Sequence, residues 1–176
     1  MMANPAISGT NYAMVNGLIQ GMGEENAWTY FKSLNGNVPF LAKRGGEPPK
    51  KVASGEFALA VIPMSGEFIS MEGKYPVTTI YPEDMIPWVP AGMAIFKNAE
   101  NLDEAKIFID WALSKKGQEF IRDQDPRMMV RSDVEIPKSV KTINKDKLIK
   151  IDIDALGEDR EEILKRWNDE FGNKAQ

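Results

Sequence analysis

Asn4-Pro5-Ala6-Ile7-Ser8-Gly9-Thr10, between Ala3 and Asn11-Tyr12, is the stretch whose reading decides the rest of the chain. It brings an extended segment into the start of a helix, because a hydroxyl at such a start accepts from the unpaired N–H groups of the first turn. Those groups carry about half a positive charge between them. Two hydroxyls, and a glycine that allows close backbone approach, turn such an end into an anion cradle. The same spacing serves a structural helix that Ser8 and Thr10 merely cap, and both readings stay open at this level.

Helices and strands alternate outward from this point. Val15, Leu18, Ile19 and Met22 recur at helical spacing, and Gly21 and Gly23 close the segment. A second helix over Glu24–Leu34 carries Ala27, Trp28, Phe31 and Leu34 on one face, acids in its first turn, and Asn35-Gly36 at its end. Val38–Leu41 reads as a strand. After the Lys43-Arg44-Gly45-Gly46 turn, Glu47-Pro48-Pro49 opens a short helix through Ala53. Phe57–Ile62 is a continuous apolar run, as in a strand buried on both faces. Ser65 heads a short helix ending near Gly73, and Val77–Tyr81 reads as a strand.

Pro82, Pro87 and Pro90 mark a stiff connection and the best domain boundary. Gly92–Phe96 is a further strand candidate, as is Met128–Val130. Asn101-Leu102-Asp103-Glu104 has capping-box spacing and opens a helix expected to bury Leu102, Ala105, Phe108, Ile109, Ala112 and Leu113. A helical turn then holds Phe120 and Ile121, Pro137 to Asp154 is poorly periodic, and a last helix over Glu158–Phe171 turns Ile163, Leu164, Trp167 and Phe171 inward. The alternation implies an α/β fold with mostly parallel pairing.

Composition excludes whole classes of chemistry. The 176 residues contain no histidine and no cysteine, which removes Ser-His-Asp and Cys-His catalysis and the usual zinc sites. With 26 acidic and 22 basic side chains, the net charge of −4 gives no basis for a nucleic-acid partner. No apolar stretch approaches the ~20 residues of a spanning helix. Phosphate-loop, dinucleotide-loop and nucleophile-elbow motifs are absent, so no cofactor is implied. Adjacent acids such as Glu83-Asp84 and Glu161-Glu162 read as solvated faces or first turns.

Several stretches resemble one family in order. Ala3–Tyr12 is similar to the opening of the second lobe in the type II extracellular solute-binding proteins of ABC transporters, the ferric-iron and phosphonate-like group. Gly23-Glu24-Glu25-Asn26-Ala27-Trp28-Thr29-Tyr30 resembles its G-E-x-x-A-W-x-Y helix, and Val52-Ala53-Ser54-Gly55-Glu56-Phe57-Ala58 its V-A-x-G-E-Y-A turn. Tyr75-Pro76-Val77 to Tyr81-Pro82-Glu83 resembles its crossing, and Ala91–Ile95 with Asn101–Gln118 its G-x-A-I strand and following helix.

The resemblance implies two α/β lobes that close over a small solute and deliver it to a membrane permease. By that pattern 1–81 is the ligand-binding lobe with a mixed, mostly parallel sheet, 82–91 the hinge crossing, and 92–176 a return segment of an incomplete first lobe. The family's first-lobe segment before the A-N-P motif has no counterpart here. The expected consequences are an uncovered apolar surface, self-association through it, and a periplasmic or lipoprotein location belonging to the full-length form. Ferric-binding relatives place two neighbouring tyrosines where this chain has Pro63-Met64-Ser65-Gly66, and Tyr12, Tyr30, Tyr75 and Tyr81 form no adjacent pair. Iron is therefore the alternative cargo, and a compact oxyanion such as a phosphonate or phosphate ester the first. By analogy Ser8, Gly9, Thr10 and Asn11 face the anion, Ser65 adds a hydroxyl, and Trp88 forms an apolar wall. The expected role is binding without turnover; an enzyme or interaction module on the same lobe is the contrasting class.

Overall fold

The computed structural model describes residues 1–64, 66–138, 140 and 143–174. Two compact units emerge. One comprises Met1–Met64, Met71–Val89 and the chain from Lys145 onward; the other comprises Pro90–Asn144 with the short helix that precedes Ser70. Contacts thus group the last helices with the first unit, whereas the sequence pattern drew its boundary at 82–91.

In the first unit, β1 (Met2–Ala3) pairs in parallel with β2 (Leu41–Ala42). Side chains alternate across the pair. Met2 and Leu41 enter the main core, while Ala3 and Ala42 face a smaller cluster with Met1, Phe40 and Phe57. Between the strands run α1 (Gly9–Met22) and α2 (Glu24–Gly36), separated by Gly23 at φ 81°, a left-handed backbone that glycine adopts without strain. Then α3 spans Glu47–Ala53, with Pro48 and Pro49 buried in its first turn. The chain returns through α7 (Ile153–Glu158) and α8 (Arg160–Phe171). The faces of α1, α2 and α8 read from their spacing meet in one core. Val15, Trp28, Phe31, Trp167 and Phe171 are fully enclosed there, with Trp28 and Phe171 stacked at 6.3 Å. Arg166 closes the cluster from outside, 4.2 Å above the Trp28 ring and 2.8 Å from Glu24.

Gly17 and Gly21 lie one turn apart on α1 and let the returning chain pack close. A Cβ on Gly17 would stand 2.9 Å from Pro87 Cβ, and one on Gly21 would stand 2.7 Å from Ile149 Cδ1. There Ile86 bridges Leu148 in parallel, and the Trp88 indole donates to the Ile149 carbonyl at 2.7 Å. A polar ladder ties the buried side of α1 to α7. Tyr12 donates to the Leu156 carbonyl at 2.8 Å, Asn16 to the Ala155 carbonyl, and Gln20 both accepts from the Asp152 amide and donates to its carbonyl.

In the second unit, α4 spans Gly66–Ile69, α5 Leu102–Leu113 and α6 Lys115–Gln124. Ser114 caps α6 through the Gly117 amide. A Cβ on Gly117 would fall 1.9 Å from the Trp111 carbonyl oxygen, so only glycine lets the α5–α6 corner close. The Gly66 amide donates to Asp125 at 2.7 Å and anchors α4.

Three expectations are corrected. Phe57–Ile62, Val77–Tyr81, Gly92–Phe96 and Met128–Val130 form no strands among the described residues; the regular sheet is the β1–β2 pair. The backbone of Phe57–Ile62 meets the sheet at Met1, whose ammonium donates to the Leu59 carbonyl and whose carbonyl accepts from Val61, but it forms no ladder there, and Leu59 is 59% exposed. An apolar run becomes a two-faced buried strand only when neighbours pair both its edges and layers cover both its faces. The stripe on α5 is not buried: of the six expected residues only Ala112 is, while Leu102, Phe108 and Leu113 are exposed and Phe96 nearby in sequence is 88% exposed. Amphipathic spacing orients a stripe but does not supply the layer that covers it. Finally, Asn101 makes no side-chain bond to its helix, so the capping-box spacing is not used as a cap.

Candidate anion cradle at the start of the first helix

The chain enters α1 through a turn rather than an extended segment. Buried Asn4 organises that turn: its amide donates to the Ala42 carbonyl, its side-chain oxygen accepts from Ala6, and its carbonyl accepts from Ile7 and Ser8. The sequence signal for this role was present in Asn-Pro, a pair that favours a side-chain-to-backbone turn.

The four residues placed here by the sequence come together in two layers. Ser8 and Asn11 form the inner one. Ser8 Oγ accepts from the Asn11 amide at 3.5 Å and from its side-chain nitrogen at 2.9 Å, and Asn11 is 0% exposed with Oδ1 unpartnered. Ser8 is therefore the cap of α1, and its oxygen is already an acceptor. Gly9 and Thr10 form the outer layer. Both are exposed, and among the described residues neither backbone N–H has a protein acceptor. Thr10 Oγ1 lies 3.4 Å from Ser8 Oγ. The first turn of α1 contains no acid, whereas α2, α3, α5, α7 and α8 each carry at least one there. The positive end of this 14-residue helix is thus left without an internal counter-charge.

Trp88 does not join them. It follows Pro87, which packs on Gly17, about 12 Å along α1 from Gly9 at 1.5 Å per residue. Ser65 lies outside the described residues. A hollow of about 550 Å³ lined by Gly21, Met22, Asn26, Thr29, Tyr30, Ser33 and Met85 opens at the opposite end of α1 and holds no charged group. Next to the cradle, burial pushes the Tyr12 phenol above the usual tyrosine range, opposed by its bond from Asn16. With its hydroxyl committed to Leu156, Tyr12 is a structural group rather than a ligand.

The described residues thus show an open helix end with two exposed backbone amides that no protein group accepts and no acid in its first turn. The chain belongs to the bacterial extracellular solute-binding protein family, whose profile matches residues 1–151. It is 31% identical over 170 residues to an uncharacterized protein of Haemophilus influenzae, covering 94% of this chain and 49% of that one. It is 28% identical over 123 residues to the phosphoglycerate transport regulatory protein PgtC of Salmonella typhimurium, covering 70% of this chain and 30% of PgtC, with the same figures for PgtC of Salmonella typhi. The chain thus spans half or less of the curated relatives it matches. No helix among the described residues is long and apolar enough to cross a membrane.

Proposed function

We propose that this chain is part of the solute-binding component of an ABC importer. In this reading it holds a small oxyanion, a phosphonate or phosphate ester, at the start of α1 and passes it unaltered to a membrane permease outside the cytoplasm. One observation carries the reading: the exposed, unaccepted N–H groups of Gly9 and Thr10 head a helix with no acid in its first turn. Similarity to a protein described as a phosphoglycerate transport regulator favours the phosphate ester. In this account Gly9 and Thr10 touch the anion, with the Thr10 hydroxyl adding a third donor, while Ser8 and Asn11 fix the turn beneath them. The test is calorimetric titration of the chain with 3-phosphoglycerate and methylphosphonate. Saturable binding that Thr10→Ala weakens about tenfold, one charge-assisted bond's worth, supports the site. Absence of binding, or affinity indifferent to Thr10→Ala, refutes it. Release of inorganic phosphate from the ester would favour an enzyme instead.

The self-association expected from the sequence belongs to the same reading. Exposed Ile107, Phe108 and Trp111 lie on α5, and an apolar face of this kind favours association. Size-exclusion chromatography should show it, and a stable monomer at high concentration would count against it.

A further inference from the structure

The last residues of α1, Gly21 and Met22, open onto the hollow of about 550 Å³ that α2 and Met85 complete. From α2 come Asn26, Thr29, Tyr30 and Ser33, whose three- and four-residue spacing puts them on one helix face, and all four are exposed. The polar atoms of this face share a bias. Thr29 Oγ1 donates to the Glu25 carbonyl at 2.9 Å, and Ser33 Oγ donates to the Thr29 carbonyl at 3.2 Å. A hydroxyl has one proton, so each oxygen has only lone pairs left to offer. Asn26 Nδ2 donates to the Met22 carbonyl at 3.0 Å, which leaves the amide oxygen as a further acceptor. The Met22 and Met85 thioethers add two polarisable, weakly accepting sulfurs. The field has the matching sign. No lining residue is charged, the hollow lies at the negative end of α1, and the last turn of that helix carries no basic residue. Among the described residues, the Gln20 and Gly21 carbonyls at that end accept no protein donor. Lys32, beside Ser33 in sequence, is paired with Glu170 at 3.5 Å.

We propose that this hollow is a second ligand site, for a small alkylammonium ion: its N–H donors meet the acceptors of Asn26, Thr29 and Ser33, and its alkyl part packs on Tyr30 and the two methionines. An ammonium offers three donors and no acceptor, which is the complement of this face. Its charge is favoured both by the helix end and by the tyrosine ring. A carboxylate of the same shape would meet lone pairs only, and an alcohol would gain one donated bond without the charge. The site is independent of the oxyanion reading. It lies about 18 Å along α1 from Gly9 at 1.5 Å per residue and shares no residue with the cradle.

Three probes of one shape separate charge from bulk. n-Butylammonium, n-butanol and butyrate are titrated at equal ionic strength into the chain labelled at its methionine methyl groups, with Met22→Leu and Met85→Leu assigning the two signals. The proposal expects saturable shifts of the Met22 and Met85 methyls with butylammonium, clearly weaker binding of butanol, and no shift with butyrate. Thr29→Val keeps the shape and removes an acceptor, Ser33→Ala removes one while favouring the helix, and Tyr30→Leu removes the ring. Each should weaken butylammonium about threefold or more. Thr10→Ala, at the other end of α1, should leave it unchanged. Butanol binding as tightly as butylammonium would reduce the hollow to an unselective apolar surface and overturn the proposal. Absence of methyl shifts with butylammonium, or an affinity indifferent to all three hollow variants, would overturn it as well. Phosphate titration of the same sample reads the cradle separately, so either site can fail while the other stands.

Discussion

Replacing Ser8 by alanine removes a single oxygen that two groups of Asn11 use, the backbone amide at 3.5 Å and the side-chain nitrogen at 2.9 Å. Loss of a helix cap costs about 0.5–2 kcal/mol, and the long backbone contact places this cap at the low end. The side-chain nitrogen is the larger issue. It sits in a residue with no solvent exposure, and a buried donor left without an acceptor costs about 1–3 kcal/mol. Because one oxygen serves both, the effects overlap, and Ser8→Ala should destabilise the first unit by about 2 kcal/mol. Thr10→Ala should move the other way. Thr10 is exposed inside α1, where alanine is the better helix former by up to about 0.7 kcal/mol, so the variant should be neutral or slightly more stable. Urea unfolding followed by circular dichroism, and by fluorescence of the buried Trp28 and Trp167, reads both as midpoint shifts at constant slope. A Ser8→Ala change below about 0.5 kcal/mol, or a Thr10→Ala loss of similar size to it, would refute the division into a capping inner layer and a ligand-facing outer one.

Tyr12→Phe strips the donor from the Leu156 carbonyl and should cost about 1–2 kcal/mol in the same unfolding experiment; an unchanged midpoint would mean the α1–α7 ladder contributes nothing. Gly17→Ala should destabilise by about 1–2 kcal/mol despite alanine's helix preference, because the added methyl meets the rigid Pro87 ring at 2.9 Å, and a gain in stability would show that the packing relaxes freely. Burial raises the Tyr12 and Tyr81 phenols above their ordinary value of 10.0. A raised folded-state value means the unfolded chain loses these protons first, so their contribution is fully present below pH 10 and is lost as pH rises through the folded values. Thermal melts from neutral to alkaline pH should show that decline, reduced in Tyr12→Phe.

Helices α1, α2 and α8 of the first unit were legible because spacing and enclosure agree there, whereas α7 begins in the stretch read as poorly periodic. Val15 on α1, Trp28 and Phe31 on α2 and Trp167 on α8 each sit on a face readable at 3.6-residue periodicity, and those faces bury one another. Glycine at 23 and prolines at 48 and 49 fixed two element boundaries through backbone constraints that act locally. What failed depends on neighbours that sequence spacing does not specify. Phe57–Ile62 and Gly92–Phe96 have strand-like composition, but a strand exists only with pairing on its edges. The α5 stripe had the right period and no covering layer. In the cradle, Ser8 to Asn11 were found by their helix-start chemistry, but their division into a buried and an exposed pair follows the turn that Asn4 organises. Gly45, where an added Cβ would stand 3.5 Å from Ser8 Oγ, was read only as part of a turn, because that approach is brought about by the β1–β2 pairing and leaves no local signal.

Titration of the labelled wild-type chain with inorganic phosphate, monitored at the backbone amides of Gly9 and Thr10, reads whether these two groups hold an oxyanion. Saturable downfield shifts concentrated at Gly9 and Thr10, and not reproduced by equal ionic strength of chloride, are the expected result. Shifts absent at Gly9 and Thr10, or identical in chloride, would contradict it.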